Sequence, residues 1–366
     1  MASSGKSKNK HILIAAAWTH HAAKDVNGFN TDAKIWSIIA NSFKRILQSE
    51  GQSTGGFIAV PCFSTGDLEY FSSWHRCPHW TSAKPCSLCS ISSSNLADYR
   101  NIPLPPEDPW NLPRNHACPL FQEILSPSSI SPDWLHTKHL GIDQRLIGSV
   151  GWVILQHLFT EGSLEERCGS LLKQLKEVWS NRKMQGCLTN LTVKMLMTDK
   201  NATKKYPKLK AKAYETKQCL VAFLEVWTNA MDAGCQAHEW VKLALSNSLR
   251  MDEIIDQCKE DFKLNPSAFA ELTQCAKNYT LLNIALHKWY SDKGLRLFQV
   301  GTMKGHWLHH SVALSRFINP YLLQRYSGKD FMSVMKTLLH ACLNGRTALS
   351  ALRHFMSRYI LAFTYE

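Results

Sequence analysis

Acidic residues are in short supply. Asp and Glu number 29 against 42 Lys and Arg, leaving a formal net charge of +13 on 366 residues. The deficit is uneven: residues 1–110 hold ten basic and eight acidic side chains, residues 281–366 eleven and three. Such an excess suits a polyanion, because contacts to phosphate release condensed counterions. Long apolar runs are missing as well. The longest, Leu146 to Phe159, is too short to span a bilayer and carries Gln156 and His157, so no membrane segment is expected. The apolar stretch Ile12 to Trp18 follows Lys6, Lys8 and Lys10 but runs at once into Thr19-His20-His21, and reads as a β-strand rather than a secretion signal. The chain has no P-loop, no GxGxxG, no GxSxG and no HExxH, so nothing argues for nucleotide hydrolysis, dinucleotide binding, serine esterase chemistry or HExxH-type proteolysis. Of twelve cysteines only Cys86 and Cys89 share a motif spacing; others, such as Cys168, Cys219 and Cys342, stand singly in apolar stretches. That is the usage of a reduced compartment, nuclear or cytoplasmic, and not a secreted disulfide framework.

What is present describes a globular protein. Hydrophobic residues make up 45% and charged residues 19%, which excludes a mainly disordered chain. Twelve Trp supply large core anchors. Between Lys200 and Lys217 stand seven Lys (Lys200, Lys204, Lys205, Lys208, Lys210, Lys212 and Lys217) with Glu215 as the one acid. This is either a nucleic-acid-facing strip or a solvated loop that aids solubility.

Periodicity divides the chain. Ile12–Trp18 reads as a buried strand, and Thr31-Asp32 caps a helix that places Ile35, Ile38, Ile39, Phe43, Ile46 and Leu47 on one face. Phe57–Phe63 reads as a second buried strand ended by Ser64-Thr65-Gly66, with Asp67 just past it. Residues 75–132 are dense in Pro, Ser, Cys and His, and Pro103, Pro105, Pro106, Pro109 and Pro113 argue against regular structure. From Trp134 onward the apolar spacing is helical: Leu140–Leu158, Leu164–Trp179, Ala211–Met231, Ala237–Leu245, Pro266–Trp289, His306–Phe317, Asp330–Leu343 and Thr347–Phe363.

Five constellations could carry chemistry. Asp67, at the carboxyl end of a strand, can join another acid in holding Mg²⁺, or can cap the helix Leu68–Trp74. Asp133 opens a long helix and shares a face with His136, a pairing that caps, orients or ligates. Cys86 and Cys89 form a CxxC in a Pro-rich loop with His and Cys upstream, the donor set of tetrahedral zinc. Cys77, His79, Cys86 and Cys89 are the expected ligands, with His75, Cys118 or His116 as other fourth donors and a plain structural CxxC as the alternative. Lys304, His306 and His310 share one helix, the two His four residues apart, and join Lys204, Lys205, Lys208, Lys210 and Lys212 as expected nucleic-acid contacts. Lys329-Asp330 begins an apolar helix, where an acid is also favoured by the helix dipole.

In this order the pieces resemble CACTA (En/Spm-like) DNA transposases, most of all a branch of transposase-like proteins expanded in protists. The resemblance rests on Gly66-Asp67-Leu68-Glu69-Tyr70, Pro78-His79-Trp80, Pro85-Cys86-Ser87-Leu88-Cys89, Asp133-x-x-His136, Lys138-His139-Leu140-Gly141 and Tyr206-Pro207. It continues through Lys304/His306/His310, Asp330-Phe331-Met332 and His340-Ala341-Cys342, and spans roughly residues 11–360. It implies a ribonuclease-H-like sheet carrying three acids, interrupted by a large helical insertion, in which two divalent metals ~4 Å apart drive phosphodiester strand transfer. On that pattern Asp67 is the second acid, Asp133 and His136 are the D-x-x-H element, and the third acid falls near Lys329-Asp330. Two departures stand out. No acid precedes Ile12, where the first is expected, and Lys329 takes the third position with Asp330 offset by about 100° of helix rotation.

The expectation is therefore an α/β, mostly α, chain with a truncated ribonuclease-H-like core sheet and a large all-helical insertion. Residues 1–160 form the partial core with a Cys/His loop over 75–118, residues 161–300 the insertion, and residues 301–366 the helices that complete the core. Asp67, Asp133, His136 and Asp330 are the catalytic positions. A structural Zn²⁺ is expected, and Mg²⁺ only if the site is active. The expected function is DNA binding by a transposase-derived, catalytically inactive protein, as a single chain or an oligomer. The alternative is a non-catalytic helical protein that binds an acidic protein partner.

Overall fold

The computed structural model describes residues 31–48, 63–98 except 76, 118, 124–125, 129–197, 202–324, and scattered helical positions between 337 and 358. The strand expected at Ile12–Trp18, most of that at Phe57–Phe63, and Lys329-Asp330 lie outside the described residues.

Helix α1 (Thr31–Gln48) is followed by strand β1 (Ser64–Gly66) and helix α2 (Leu68–Trp74). Strand β2 (Ile130–Pro132) pairs with β1 in parallel, Ser64 opposite Ile130, Thr65 opposite Ser131 and Gly66 opposite Pro132. The described β1 is made of the three residues expected to end it. β2 falls inside the stretch read as irregular. Three residues are too few to show alternation, and Pro132 sits at the strand end, where a missing N–H is tolerated.

A helical rod then runs without a break from Leu135 to Leu158. It is π-helical over Leu135–Asp143, α-helical over Gln144–Val153 (α3) and π-helical again over Ile154–Leu158. Its middle is buried on every side, with Leu146, Ile147, Val150, Val153 and Ile154 at most 1% exposed. A helix apolar all round belongs at the centre of a helical mass. Around it pack α4 (Leu164–Asn181), the short α5 (Val193–Leu196), α6 (Ala213–Ala230), α7 (Gln236–Gln257), α8 (Pro266–Ser291) and α9 (Met303–Leu314), with the single turn α10 (Pro320–Leu323) beyond. Local chemistry starts these helices. Ser163 and Glu166 form a reciprocal capping box at α4, and Asn265 caps α8 with Pro266 in its first turn.

Helix α7 extends twelve residues past the expected end at Leu245, through Ser246-Asn247-Ser248. Those residues weaken local propensity, but Met251, Ile254 and Ile255 beyond them are buried at 2% or less, and that burial carries the helix on.

One apolar cluster runs from Trp134 to Val312, so the rod belongs to the helical mass rather than to the small sheet alone. A second cluster joins Phe71, Cys77, Cys86, Leu88, Cys118, Ile130, Met303 and Trp307. It ties the Cys-rich loop and β2 to α9. Among the described residues the architecture is mostly helical with one two-stranded parallel sheet, and no helix is long and apolar enough to cross a membrane.

Candidate functional site

The strand register sets the first site. Since Gly66 lies opposite Pro132, the residues that follow, Asp67 and Asp133, emerge together at the carboxyl edge of the sheet. Parallel strands present their ligands at this edge. Asp67 Oδ1 accepts the Tyr70 N–H at 2.7 Å, capping α2, while the side chain stays 41% exposed. Asp133 is fully buried. Its Oδ1 accepts the Leu135 N–H at 3.1 Å, and its Oδ2 accepts from His136 Nδ1. With Nδ1–H given to Asp133, His136 turns Nε2 outward to within 3.9 Å of Asp67 Oδ2. The arrangement is a carboxylate fixing an imidazole that faces a second carboxylate. It can hold a cation between His136 and Asp67 or move a proton there.

The edge opens on a cleft of about 450 Å³ lined by Asp67, Glu69, Trp80, His136, Arg145 and Lys304 among others. Two cations, Arg145 and Lys304, thus line the same groove as two exposed carboxylates, Asp67 and Glu69. Lys304 Nζ donates to the Leu140 carbonyl at 3.0 Å, and its stem crosses Gly141, where a Cβ would lie 2.8 Å from Lys304 Cδ. Only glycine leaves that path open.

Behind the cleft, the inner face of the π-helical segment enters a buried ion network. Lys138 Nζ donates to Asp143 Oδ2 at 2.9 Å and to Asp252 Oδ2 at 2.7 Å. His139 Nδ1 lies 3.0 Å from Asp143 Oδ2, Ser248 Oγ donates to Asp143 Oδ1 at 2.6 Å, and Trp134 Nε1 donates to Asp252 Oδ1 at 3.1 Å. Burial opposes charge on both partners, pulling the ammonium down and the carboxyl up. The ion pairs outweigh it: Asp143 and Asp252 hold Lys138 above its ordinary value, and Lys138 with His139 holds Asp143 below its own. The network locks the segment that carries Asp133 and His136 onto α7.

The second constellation is a cluster of four donors drawn from the two ends of the described chain. Cys86 Sγ lies 3.5 Å from His310 Nε2, Cys89 Sγ lies 3.2 Å from His306 Nε2, and the two Nε2 atoms are 3.0 Å apart. All four atoms fall within 4.8 Å of one another, a Cys₂His₂ set that could hold a metal such as zinc. Tetrahedral zinc with ordinary bond lengths gives donor–donor edges of roughly 3.3–3.8 Å, so the cluster fits with a slight expansion. The donor chemistry agrees. Cys86 hydrogen bonding pulls the Cys89 thiol far down against the effect of burial, with His306 and His310 adding to it, and burial pulls His310 toward neutral imidazole. Burial pushes the Cys86 thiol up, a proton that a bound metal would displace. His306 Nδ1, on the far side of its ring, is buried without a hydrogen-bond partner.

This corrects the expected ligand set. Cys86 and Cys89 are in the cluster, but Cys77 and His79 stand elsewhere. His79 is exposed, 2.7 Å from Thr81 Oγ1, with its ring against Trp80. Cys77 is buried beside Cys118 and hydrogen-bonds Ser87, and burial raises its thiol to about 11. His75 lies 3.5 Å from Cys118 Sγ and 3.1 Å from Ser64 Oγ, bracing β1. His306 and His310, expected as nucleic-acid contacts, are at most 5% exposed and turn inward to the two cysteines. The His-x-x-x-His spacing was the available signal, but nothing local tells that its partners lie more than 200 residues earlier in the chain.

Of the expected basic contacts, Lys204, Lys205, Lys208, Lys210 and Lys212 are exposed. Their segment is held in place by the backbone. Lys208 and Lys210 donate to the carbonyls of Leu196 and Met195, and Leu209 donates to that of Gln144. At Gly148 a Cβ would stand 2.7 Å from the Lys208 backbone, so the basic strip seats on α3 because that position has no side chain. Lys212 spends its charge partly on Glu215, 4.0 Å away. Asp330 lies outside the described residues. Comparisons with protein-family profiles, with curated proteins and with solved structures found no match.

Proposed function

We propose that this chain is a transposase-derived DNA-binding protein built on a reduced ribonuclease-H-like core, held by a structural zinc at Cys86, Cys89, His306 and His310, and without strand-transfer activity. The observation that carries the reading is the placement of Asp67 and Asp133 side by side where two parallel strands end, with His136 bonded to Asp133 and turned toward Asp67, and with Arg145 and Lys304 lining the same cleft. Cations suit phosphates, and carboxylates at strand ends are where a metal-dependent phosphodiester site is built.

The same geometry supports inactivity. Asp133 gives one oxygen to the Leu135 N–H and the other to His136, so it serves as cap and orienter. On the resemblance, Lys329 stands in place of the third acid. What remains is a groove that can grip a backbone.

Salt dependence of duplex DNA binding tests the reading. Five phosphate contacts, from Lys204, Lys205, Lys208, Lys210 and Lys304, give a log–log slope of about −4.5 and a loss of roughly 500-fold between 50 and 200 mM salt. Affinity indifferent to salt would point instead to an acidic protein partner. Supercoiled plasmid with Mg²⁺ or Mn²⁺ should stay intact, and nicking that disappears in Asp67→Ala would overturn the claim of inactivity.

A further inference from the structure

The four donors of the Cys₂His₂ cluster are not equally shielded. Cys86 is 5% exposed, while Cys89 is only half-buried and reaches the surface. Cys77, Cys118, Cys168 and Cys219, by contrast, are at most 5% exposed and out of reach of a solute. One sulfur at the surface with a second behind it, in the same Cys-x-x-Cys loop, is the arrangement of an oxidisable thiol and the thiol that resolves it. The two Sγ atoms lie within 4.8 Å of each other, and the Leu88 N–H donates to Cys86 Sγ at 3.3 Å, holding the loop turned around the sulfurs.

A disulfide at this place cannot do what a metal does. Through Cys89 and His306 a bound metal ties positions 217 residues apart. A Cys86–Cys89 bond ties the loop only to itself and leaves His306 and His310 as two donors, too few to hold tetrahedral zinc. The constraint from a cross-link grows with the length of chain it closes, so oxidation exchanges a long-range tether for a local one. What that tether holds is helix α9. Lys304, two residues before His306 on the same helix, lines the acid cleft, so releasing α9 also releases one cation of the cleft.

We propose that the cluster is a peroxide-sensitive switch, in which oxidation of Cys89 and Cys86 to a disulfide expels the metal and frees α9 from the Cys-rich loop. The inference rests on the zinc assignment above and deepens it by naming its regulation. The chemistry balances with a peroxide as oxidant. The Cys89 thiolate attacks hydrogen peroxide, takes one oxygen as a sulfenic acid and expels hydroxide. The Cys86 thiolate then attacks the Cys89 sulfur, forming the S–S bond and expelling a second hydroxide, and two protons from solvent turn both into water. Two electrons pass from the sulfurs to the peroxide, and zinc leaves unchanged as Zn²⁺.

The test uses the full chain, purified with its zinc under reducing conditions, freed of reductant and titrated with hydrogen peroxide. A chromogenic chelator too weak to strip the reduced chain reads the zinc set free, and peptide mapping locates the disulfide. About one zinc leaves per chain in step with one Cys86–Cys89 bond, and the urea unfolding midpoint falls as far as it does under a strong chelator. Dithiothreitol with added Zn²⁺ restores both, and Cys77→Ser behaves as wild type. Zinc retained while peroxide consumes other cysteines, release without a Cys86–Cys89 bond, or release that reductant and Zn²⁺ fail to reverse would each overturn the proposal. A chain that holds no zinc from the start sinks the cluster assignment and the switch together, whereas zinc held through oxidation sinks the switch alone. Duplex DNA is titrated in parallel, and the oxidised chain binds with a salt slope shallower by about one contact. An unchanged slope overturns the link to Lys304; a chain that binds no DNA in either state refutes the DNA reading and leaves the switch standing.

Discussion

Removal of metal from the Cys₂His₂ cluster is the perturbation with the largest expected effect. The cluster joins positions 217 and 224 residues apart, Cys89 to His306 and Cys86 to His310. A cross-link closing a 217-residue loop is worth about 5 kcal/mol of lost unfolded-state entropy on the chain-closure relation, before any local folding of the loop is counted. With a urea m-value of a few kcal/mol/M, that moves the unfolding midpoint by about 1–2 M. The assay is urea unfolding followed by tryptophan fluorescence, with and without a zinc chelator, alongside elemental analysis. Wild type should carry about one zinc per chain and lose the stated midpoint on chelation. Cys89→Ser and His306→Ala should lack zinc, start at the lower midpoint and show no response to chelator. Cys77→Ser and His79→Ala should keep the metal, which separates the observed cluster from the ligand set that local spacing suggests. Zinc retained in His306→Ala, or a midpoint untouched by chelation, would refute the reasoning.

Two further outcomes follow from the buried ion network. Lys138→Met leaves Asp143 and Asp252 facing each other without their ammonium, and breaking a buried pair costs about 3–5 kcal/mol. Arg182→Ala, which removes an exposed pair with Glu225 at 2.9 Å, should change stability by less than about 1 kcal/mol, and equal effects in urea unfolding would sink the distinction. In pH-dependent unfolding, Asp143 has a depressed folded-state pKa, so its contribution is full above the ordinary 3.8 and is lost as pH falls below that through the folded value. Lys138 has a raised folded-state pKa, so its contribution is full below 10.5 and fades as pH rises above it. Stability from this network should be flat between those limits, and a fall centred near pH 6 that vanishes in Lys138→Met would contradict the assignment.

The helices from Leu140 onward could be read from the sequence because their apolar spacing is long and regular, and Ser163, Asn265 and Pro266 mark their starts. Asp67 and Asp133 could be read as strand- and helix-end acids, and so could the His136 beside Asp133. Their juxtaposition depends on β2, a three-residue strand that no periodicity reveals. His306 and His310 were visible as a pair but not as ligands, since Cys86 and Cys89 reach them only through the tertiary fold. Cys77 and His79 were attractive for the opposite reason, being close in sequence and turned to other partners in space.

Helix α9 connects what otherwise look like separate features. Thr302 accepts the Gly305 N–H and starts the helix, and Thr302, Met303 and Lys304 line the acid cleft. His306 and His310, on the next turns, face Cys86 and Cys89. Between them Trp307 packs on Phe71 of α2, the helix that Asp67 caps. A metal at the cluster therefore fixes the height and rotation of α9, and with it the place of Lys304 across from Asp67. A helix free to rotate by one residue would swing Lys304 through about 100°, out of the groove. The zinc reading and the cleft are thus coupled through one rigid element. A Cys89→Ser chain that still folds should bind DNA with a salt slope shallower by about one contact, although Cys89 itself is not among the residues that line the cleft.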